Sequence, residues 1–130
     1  MTATPEPAPL ILVVEDAASV CRLLVDALTR HGFHAITAEH GLHGLLSIDR
    51  MDPKPDLVLL DIMMPELDGL ELMKALRSHP ETRAIPVILV TARTDAKTIA
   101  DGISAGARGY ITKPFTIAEL IGKVRKALKG

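Results

Sequence analysis

Three carboxylates, a hydroxyl and an ammonium each follow a short apolar segment of this 130-residue sequence. Glu15 and Asp16 follow the first segment, and Asp61 follows a later one. Thr91 and Lys113 stand at the same point after two further segments. If these segments are parallel strands of one sheet, their carboxyl ends bring all five side chains to one edge. Polar loops explain one acid after a strand, but they do not explain this combination.

Such a cluster needs compensating positive charge. Two carboxylates about 5 Å apart repel each other by roughly 3 kcal/mol at an effective dielectric constant near 20. Lys113 supplies one positive charge, and a hard divalent cation with oxygen ligands would supply more. Mg²⁺ fits best, because it keeps several waters and accepts phosphate oxygens as ligands. A carboxylate beside Mg²⁺ and an ammonium can attack phosphorus, so these residues indicate phosphoryl transfer to an aspartate.

The apolar pattern predicts five strands, each followed by a helix. The predicted strands are Leu10–Val14, Ala35–Ala38, Leu57–Leu60, Pro86–Val90 and Gly109–Thr112. Continuous runs rich in β-branched residues are typical of strands buried on both faces. The helical segments are Val20–Leu28, Leu42–Met51, Leu70–Leu76, Ala96–Ala105 and Ile117–Leu128. This order predicts an α/β fold, with a parallel sheet, right-handed crossovers and helices on both faces.

The helical segments differ in how firmly their apolar residues secure them. The first has a full stripe that we expect to be buried, namely Val20, Leu23, Leu24, Ala27 and Leu28. The fourth has only Ile99 and Ile103 as large apolar anchors, and Gly102 in its interior lowers helix propensity by about 1 kcal/mol relative to Ala. Low local stability favours a mobile element, so we expect the fourth helix to move.

The overall composition excludes several classes of function. Fifteen basic and sixteen acidic residues give a net charge of −1, and aromatic residues are 2% of the chain, which disfavours direct nucleic-acid binding. The single cysteine, Cys21, excludes an internal disulfide and a thiolate metal cage. No apolar run approaches a membrane span, and the start lacks the pattern of a signal peptide. We therefore expect a cytoplasmic domain, with residues 1–9 as a flexible leader.

From about Leu10 to Lys129, the chain resembles a response-regulator receiver domain of two-component signalling, similar to the single-domain chemotaxis regulators. Residues Asp61–Gly69 resemble the family's phospho-acceptor motif, and Gly106–Phe115 resemble its lysine motif. The resemblance implies a doubly wound, flavodoxin-like (βα)5 fold with strand order 2-1-3-4-5. It also implies that residues 10–130 form one receiver domain.

The resemblance assigns the phospho-acceptor role to Asp61 and a magnesium site to the residues around it. Glu15 and Asp16 would organise Mg²⁺ (or Mn²⁺ in its place), together with Asp61 and the backbone carbonyl of Met63. Glu15 occupies a position where Asp is common in the family. Its side chain is one methylene longer, so its contact with the metal is expected to run through water.

The resemblance also assigns residues to phosphoryl stabilisation and to switching. Lys113 would pair with the phosphoryl oxygens, and the Lys113–Pro114 peptide bond would be cis. Thr91 would move to hydrogen-bond the phosphoryl group, and Tyr110 would turn inward behind it. The output surface would then comprise the fourth helix, the fifth strand and the fifth helix.

Three residues are expected to tune hydrolysis of the phosphoryl group. Hydrolysis needs a water in line with the bond between phosphorus and the Asp61 oxygen. Met63 and Arg93 should flank this approach and hinder the water, because their side chains are long. The small side chain of Ala92 should not hinder it.

The implied partners are a sensor histidine kinase or phosphotransfer protein and, downstream, a target protein or a second copy of the chain bound through the output surface. Cys21 and Val25, one helical turn apart, either widen the buried face or form a docking patch for the kinase. The chain would not be an enzyme in the usual sense, although it would catalyse its own phosphorylation and dephosphorylation. An aspartate-nucleophile phosphatase would need an acid two residues after Asp61, where Met63 stands.

The sequence favours a stand-alone regulator, because no output domain follows Gly130. The alternative is the N-terminal receiver of a longer regulator with a DNA-binding or enzymatic output domain.

Overall fold

The computed structural model describes residues 8–61, 69–92 and 96–129. Its strands are β1 (Leu10–Val14), β2 (His34–Ala38), β3 (Leu57–Leu60), β4 (Val87–Thr91) and β5 (Gly109–Thr112). Its helices are α1 (Ala18–Arg30), α2 (Gly41–Arg50), α3 (Gly69–Arg77), α4 (Ala96–Ser104) and α5 (Ile117–Lys129). Most of the expected leader and the positions of Met63 and Arg93 lie outside the described residues.

The five strands form one parallel sheet in the order β2-β1-β3-β4-β5, which confirms the predicted flavodoxin-like topology. Pairing starts just before the first strand, because the carbonyl of Pro9 accepts a 2.9 Å hydrogen bond from the N–H of His34. β3 and β4 are buried along their whole length, as their continuous apolar sequences predict. The carboxyl ends of β1, β3, β4 and β5 therefore meet at one edge.

Alternate residues of each central strand enter two separate cores. In β1, Ile11 and Val13 pack with α1 and α5, whereas Leu12 and Val14 pack with α2 and α3. This period of two is the alternation of side chains across a strand. Each face of the sheet is thus covered by helices, and the polar groups are left to the ends of the strands. Within the described ranges, no helix has both the length and the apolarity needed to cross a membrane.

Two residues that were predicted to be apolar anchors are largely exposed. Leu23 of α1 is 46% exposed, and Ile103 of α4 is also 46% exposed. In α1 the buried face is narrower than the apolar stripe and consists of Leu24, Ala27 and Leu28. The prediction that Leu23 and Ile103 lie in the core is therefore wrong, and both side chains lie on the protein surface.

α4 approaches the sheet through Gly102, which is buried against Leu89 of β4. A Cβ atom built on Gly102 would overlap the Cδ1 methyl of Leu89, whose side chain is itself fully buried. The glycine lowers helix propensity, but it also permits this close contact between helix and strand. Its role is therefore one of packing.

This packing role gives the first prediction. We expect Gly102→Ala to lower the free energy of unfolding by about 1 kcal/mol, because the cost of overpacking exceeds the gain in helix propensity. The matched control is Gly122→Ala in α5, where an added Cβ meets nothing within 4 Å. This change should raise the free energy of unfolding by up to about 1 kcal/mol. Urea unfolding measures both values, and equal stabilisation by the two changes would refute the packing role.

Candidate functional site

Backbone hydrogen bonds that continue past the strands bring Glu15 and Asp61 together. The N–H of Asp61 donates to the carbonyl of Val14 over 3.0 Å, and the N–H of Glu15 donates to the carbonyl of Ala38 over 3.1 Å. Both residues are therefore held in the extension of the sheet. Their side chains are almost completely buried, with 1% of Glu15 and 7% of Asp61 exposed.

Lys113 joins these two carboxylates from the end of β5. Its Nζ lies 2.6 Å from Oε1 of Glu15 and 3.2 Å from Oδ2 of Asp61. Its backbone N–H donates to the carbonyl of Thr91 over 2.8 Å, which fixes the start of the loop after β5. The peptide bond to Pro114 is cis, as is the Asp52–Pro53 bond elsewhere in the chain.

The ionisation of this cluster reflects both burial and charge. Burial raises the pKa of Glu15, and the charge of Asp61 raises it further. Lys113 and the N–H of Ala17, which donates to Oε2 over 3.2 Å, act in the opposite direction. Burial alone would lower the pKa of Lys113, but the carboxylates of Glu15 and Asp61 outweigh it and raise that pKa. Lys113 therefore stays positively charged between two acids.

The acids fit a hard divalent cation. Glu15, Asp16 and Asp61 each offer a carboxylate oxygen, and these oxygens lie within 4.8 Å of one another. Oε1 of Glu15 is buried and lies 2.6 Å from its ion-pair partner, Nζ of Lys113. Carboxylate oxygens are the ligands that Mg²⁺ prefers. The expected contribution of the Met63 carbonyl falls outside the described residues.

Thr91 and Tyr110 lie on the face of the sheet that carries α4. Thr91 is fully buried at the end of β4, where it pairs in register with Thr112. Tyr110 pairs with Leu89, which precedes Thr91 by two residues in β4. The half-buried side chain of Tyr110 packs against the same core as Leu89. Side chains two residues apart share a face of a strand, so Thr91 and Tyr110 both face this core. Ala92, the next residue after Thr91, is exposed.

Lys123 of α5 holds Tyr110 in its present position. Its Nζ donates to the carbonyl of Tyr110 over 2.6 Å and lies 4.9 Å from the centre of the ring. In the sequence, Lys123 is one of several basic residues near the end of a helix, which are typical of helix-dipole complementarity. The spacing does not reveal a contact with a strand thirteen residues earlier.

An apolar groove of about 350 Å³ opens beside Lys113. It is lined by Val20 and Leu23 of α1 and by Lys113, Pro114 and Phe115 after β5. Cys21 and Val25 instead line a separate cavity between α1 and β2. Cys21 is half-buried, and burial raises the pKa of its thiol, with a further contribution from Glu15. Two cavities therefore adjoin the site. Glu15 and Asp16 line the cavity of Cys21 and Val25, whereas Lys113 lines the groove of Leu23.

Comparison with known proteins agrees with this geometry. The sequence model of the response regulator receiver domain family matches residues 11–125. The DNA-binding response regulator MtrA of Mycobacterium tuberculosis is 36% identical over 119 residues, which are 92% of this chain and 50% of MtrA. The phosphate regulon transcriptional regulatory protein PhoB of Escherichia coli is also 36% identical over 119 residues, which are 51% of PhoB. The chain thus spans about half the length of these curated relatives.

Solved structures share the fold. The chemotaxis protein CheY4 of Vibrio cholerae superimposes with a TM-score of 0.86 at 25% identity, over 92% of this chain and 98% of CheY4. The receiver domain of the Francisella response regulator 1452 superimposes with a TM-score of 0.84 at 31% identity, over 93% of this chain and 97% of that domain. Both similarities extend over nearly the whole chain.

Proposed function

The chain belongs to the response regulator receiver domain family, and on that premise we propose that Asp61 accepts a phosphoryl group from a histidine kinase or phosphotransfer protein. The observation that carries this proposal is the buried Asp61 carboxylate beside an ammonium and two further acids. Receiver domains are signalling modules, so in this proposal the phosphoryl group is transferred to the protein itself and not to a separate substrate. Autophosphorylation from small phosphodonors and self-catalysed dephosphorylation are part of the proposal.

The residues at the site would divide the work of the transfer. A carboxylate oxygen of Asp61 forms the new bond to phosphorus as the bond between phosphorus and the donor nitrogen breaks. The ammonium of Lys113, already 3.2 Å from Asp61, stabilises the negative charge on the transferring oxygens. Mg²⁺ held by Glu15, Asp16 and Asp61 would add positive charge beside those oxygens. After transfer, the hydroxyl of Thr91 would donate a hydrogen bond to the phosphoryl group.

Chemical phosphorylation tests this function. Incubation with acetyl phosphate and Mg²⁺ should add the mass of one phosphoryl group to the intact protein, and an excess of EDTA should prevent the addition. Intact-protein mass spectrometry gives the stoichiometry directly. Labelling that persists in EDTA, or no labelling with Mg²⁺ present, would exclude the proposed reaction.

The acids give a prediction about metal binding. We expect Asp16→Ala to abolish measurable Mg²⁺ binding, because it removes the one exposed carboxylate of the cluster. Glu15→Asp should retain binding, since it keeps a carboxylate at that position. Asp26→Ala is the matched control, because Asp26 is an acid of α1 that pairs with Arg30 outside the cluster. Calorimetric titration measures all three, and wild-type binding by Asp16→Ala would remove Asp16 from the site.

We propose that the groove around Leu23 receives the phosphodonor protein. Leu23 is 46% exposed, and Ile117 at the start of α5 is 43% exposed. The groove includes Lys113, so a protein seated there would stand next to Asp61. An apolar surface next to a buried acceptor suits a partner that must exclude water during transfer. Leu23 and Phe115 form the docking surface of this proposal, and the cavity that Cys21 and Val25 line together with Glu15 and Asp16 is the alternative.

We further propose that phosphorylation switches the surface formed by α4, β5 and α5. Thr91 would move toward the phosphoryl group, and Tyr110 would occupy the space behind it, on the same face of the sheet. That movement would alter the contact between Tyr110 and Lys123 of α5. A charge change at Asp61 would thus reach a surface that other proteins can read.

Amide hydrogen exchange tests this switch. With Mg²⁺ and beryllofluoride, which imitates the phosphoryl group, we expect changed protection in β4, α4 and β5. The change should be lost in Thr91→Ala, because that variant lacks the hydroxyl that would move. Thr112→Ala, at the neighbouring end of β5, is the matched control and should keep the response. Changes confined to the acidic cluster would refute the proposed output surface.

The relatives support two settings for this output. CheY4 is matched over 98% of its length, which supports a stand-alone regulator that acts through protein contacts. MtrA and PhoB, regulators described as DNA-binding and transcriptional, are matched over about half their length, which supports the N-terminal receiver of a longer protein. The intact mass of the natural gene product from its source cell decides between them.

A further inference from the structure

A basic groove of about 360 Å³ lies between β5 and the C-terminal half of α5. Its lining residues are Ile88, Arg108, Gly109, Lys123, Lys126 and Ala127. Three of these carry positive charge and none carries negative charge. The surface is therefore strongly basic in a chain whose net charge is −1.

Gly109 opens this groove to its apolar wall. A Cβ atom built on Gly109 meets nothing within 4 Å, so the missing side chain leaves open space above the sheet. Ile88, paired with Gly109 in register, and Ala127 of α5 form the apolar wall of that space. The groove thus combines an aliphatic wall with a cationic rim.

Two of the three cations of the groove, Arg108 and Lys123, are held by backbone carbonyls. Arg108 donates to the carbonyl of Ala127 over 3.2 Å, and Lys123 donates to the carbonyl of Tyr110 over 2.6 Å. Both acceptors are uncharged. Arg77 of α3 donates to the carbonyl of Gly106 over 2.9 Å, three residues before Gly109.

We propose that this groove binds an acidic segment of a partner protein, with an aliphatic side chain against Ala127 and carboxylates paired with Arg108 and Lys126. The inference deepens the proposed function and rests on it, because β5 and α5 belong to the proposed output surface. Complementary charge steers and orients such a partner. A two-fold pairing of two copies through this groove would set basic residues against basic residues, which disfavours a homodimer centred here.

The mode of binding is side-chain recognition in the groove. Lys123 occupies the carbonyl of Tyr110 at β5, so a partner strand could not use that acceptor. The ammonium of Lys123 also lies 4.9 Å from the centre of the Tyr110 ring, so movement of this ring in the proposed switch would change the surroundings of one cation of the groove.

The test uses isotope-labelled full-length chain and a synthetic peptide of alternating glutamate and leucine. We expect saturable NMR shifts at the amides of Arg108, Gly109 and Lys123. Gly109→Val should weaken binding at least about tenfold, because its side chain fills the groove, and valine suits a strand. Lys126→Glu should weaken it about fivefold, whereas Lys74→Glu, the same charge change at an exposed position of α3, should alter it less than twofold.

Equal binding to wild type and Gly109→Val would overturn the proposal. The proposal would also be overturned if a peptide with lysine in place of glutamate, or a DNA duplex, bound as tightly as the glutamate–leucine peptide. The absence of any saturable shift would overturn it too. Labelling of Asp61 by acetyl phosphate is measured separately on the same Gly109→Val protein. If the wild type is labelled normally but does not bind the peptide, the proposed groove is refuted alone. If the wild type is not labelled, the phosphorylation function is refuted.

Discussion

Replacement of Asp61 by Asn is expected to abolish phosphorylation by acetyl phosphate in the presence of Mg²⁺. The amide of Asn has nearly the same shape as the carboxylate but lacks the anionic oxygen that attacks phosphorus. The fold should persist, because Lys113 still pairs with Glu15 at 2.6 Å. Intact-protein mass spectrometry should show no added phosphoryl group, and circular dichroism should show an unchanged fold.

Asp26→Asn is the control for this substitution. Asp26 is exposed on α1 and pairs only at the surface with Arg30 over 3.2 Å. The control variant should be labelled like the wild type. Undiminished labelling of Asp61→Asn would show that another residue accepts the phosphoryl group.

Lys113→Ala is expected to have the largest effect on stability and also to slow phosphorylation. It removes the cation shared by two acids whose side chains are only 1% and 7% exposed. Breaking such a pair leaves uncompensated buried charge, so the free energy of unfolding at pH 7 in EDTA should fall by about 3 kcal/mol. The rate of labelling by acetyl phosphate should fall about a hundredfold, because the stabilising ammonium is lost.

Lys97→Ala is the matched control for the stability measurement. Lys97 pairs with Asp101 at 3.5 Å, but 87% of its side chain is exposed. An exposed pair within one helix contributes little, so the free energy of unfolding should change by less than about 0.5 kcal/mol. Equal losses from the two lysine substitutions would show that the Lys113 cluster contributes no more than a surface ion pair.

The stability loss in Lys113→Ala should be smaller at acid pH. Lys113 lowers the pKa of Glu15 in the wild type, so its removal raises that pKa further above the ordinary value. A folded state with the higher carboxyl pKa binds protons more tightly than the unfolded state, so its stability rises as the pH falls through that pKa. Urea unfolding in EDTA should therefore give a smaller difference from wild type at pH 5 than at pH 7. A constant difference would contradict repulsion between buried carboxylates.

The alternation of strands and helices and the acidic site could be predicted from the sequence because both depend on local patterns. The strand order could be predicted from the resemblance to the receiver family. The apolar runs of β3 and β4 are fully buried, that of β1 is buried from Ile11 to Val14, and polar residues follow them at one edge of the sheet. In parallel sheets this edge is where sites form, so Glu15 and Asp61 could be placed together before any coordinates. Their contact with Lys113 follows from the same topology.

The packing of α4 could not be predicted in this way. Helix propensity assigns Gly102 a cost, whereas its close contact with Leu89 depends on how near the helix lies to the sheet. The exposure of Ile103 follows from the same geometry, because α4 turns Gly102 inward. The hydrogen bond from Lys123 to the carbonyl of Tyr110 could not be predicted either, because the sequence around a basic residue of a helix does not indicate an acceptor on another element.

Chemical mapping of the phosphorylated residue tests the proposed function most directly. Borohydride reduces an aspartyl phosphate to homoserine, and peptide mass spectrometry then locates the modified position. After treatment with acetyl phosphate and Mg²⁺, we expect homoserine at position 61 and at no other aspartate. Homoserine at position 16, or none in a protein that has gained the mass of a phosphoryl group, would contradict phosphoryl transfer to Asp61.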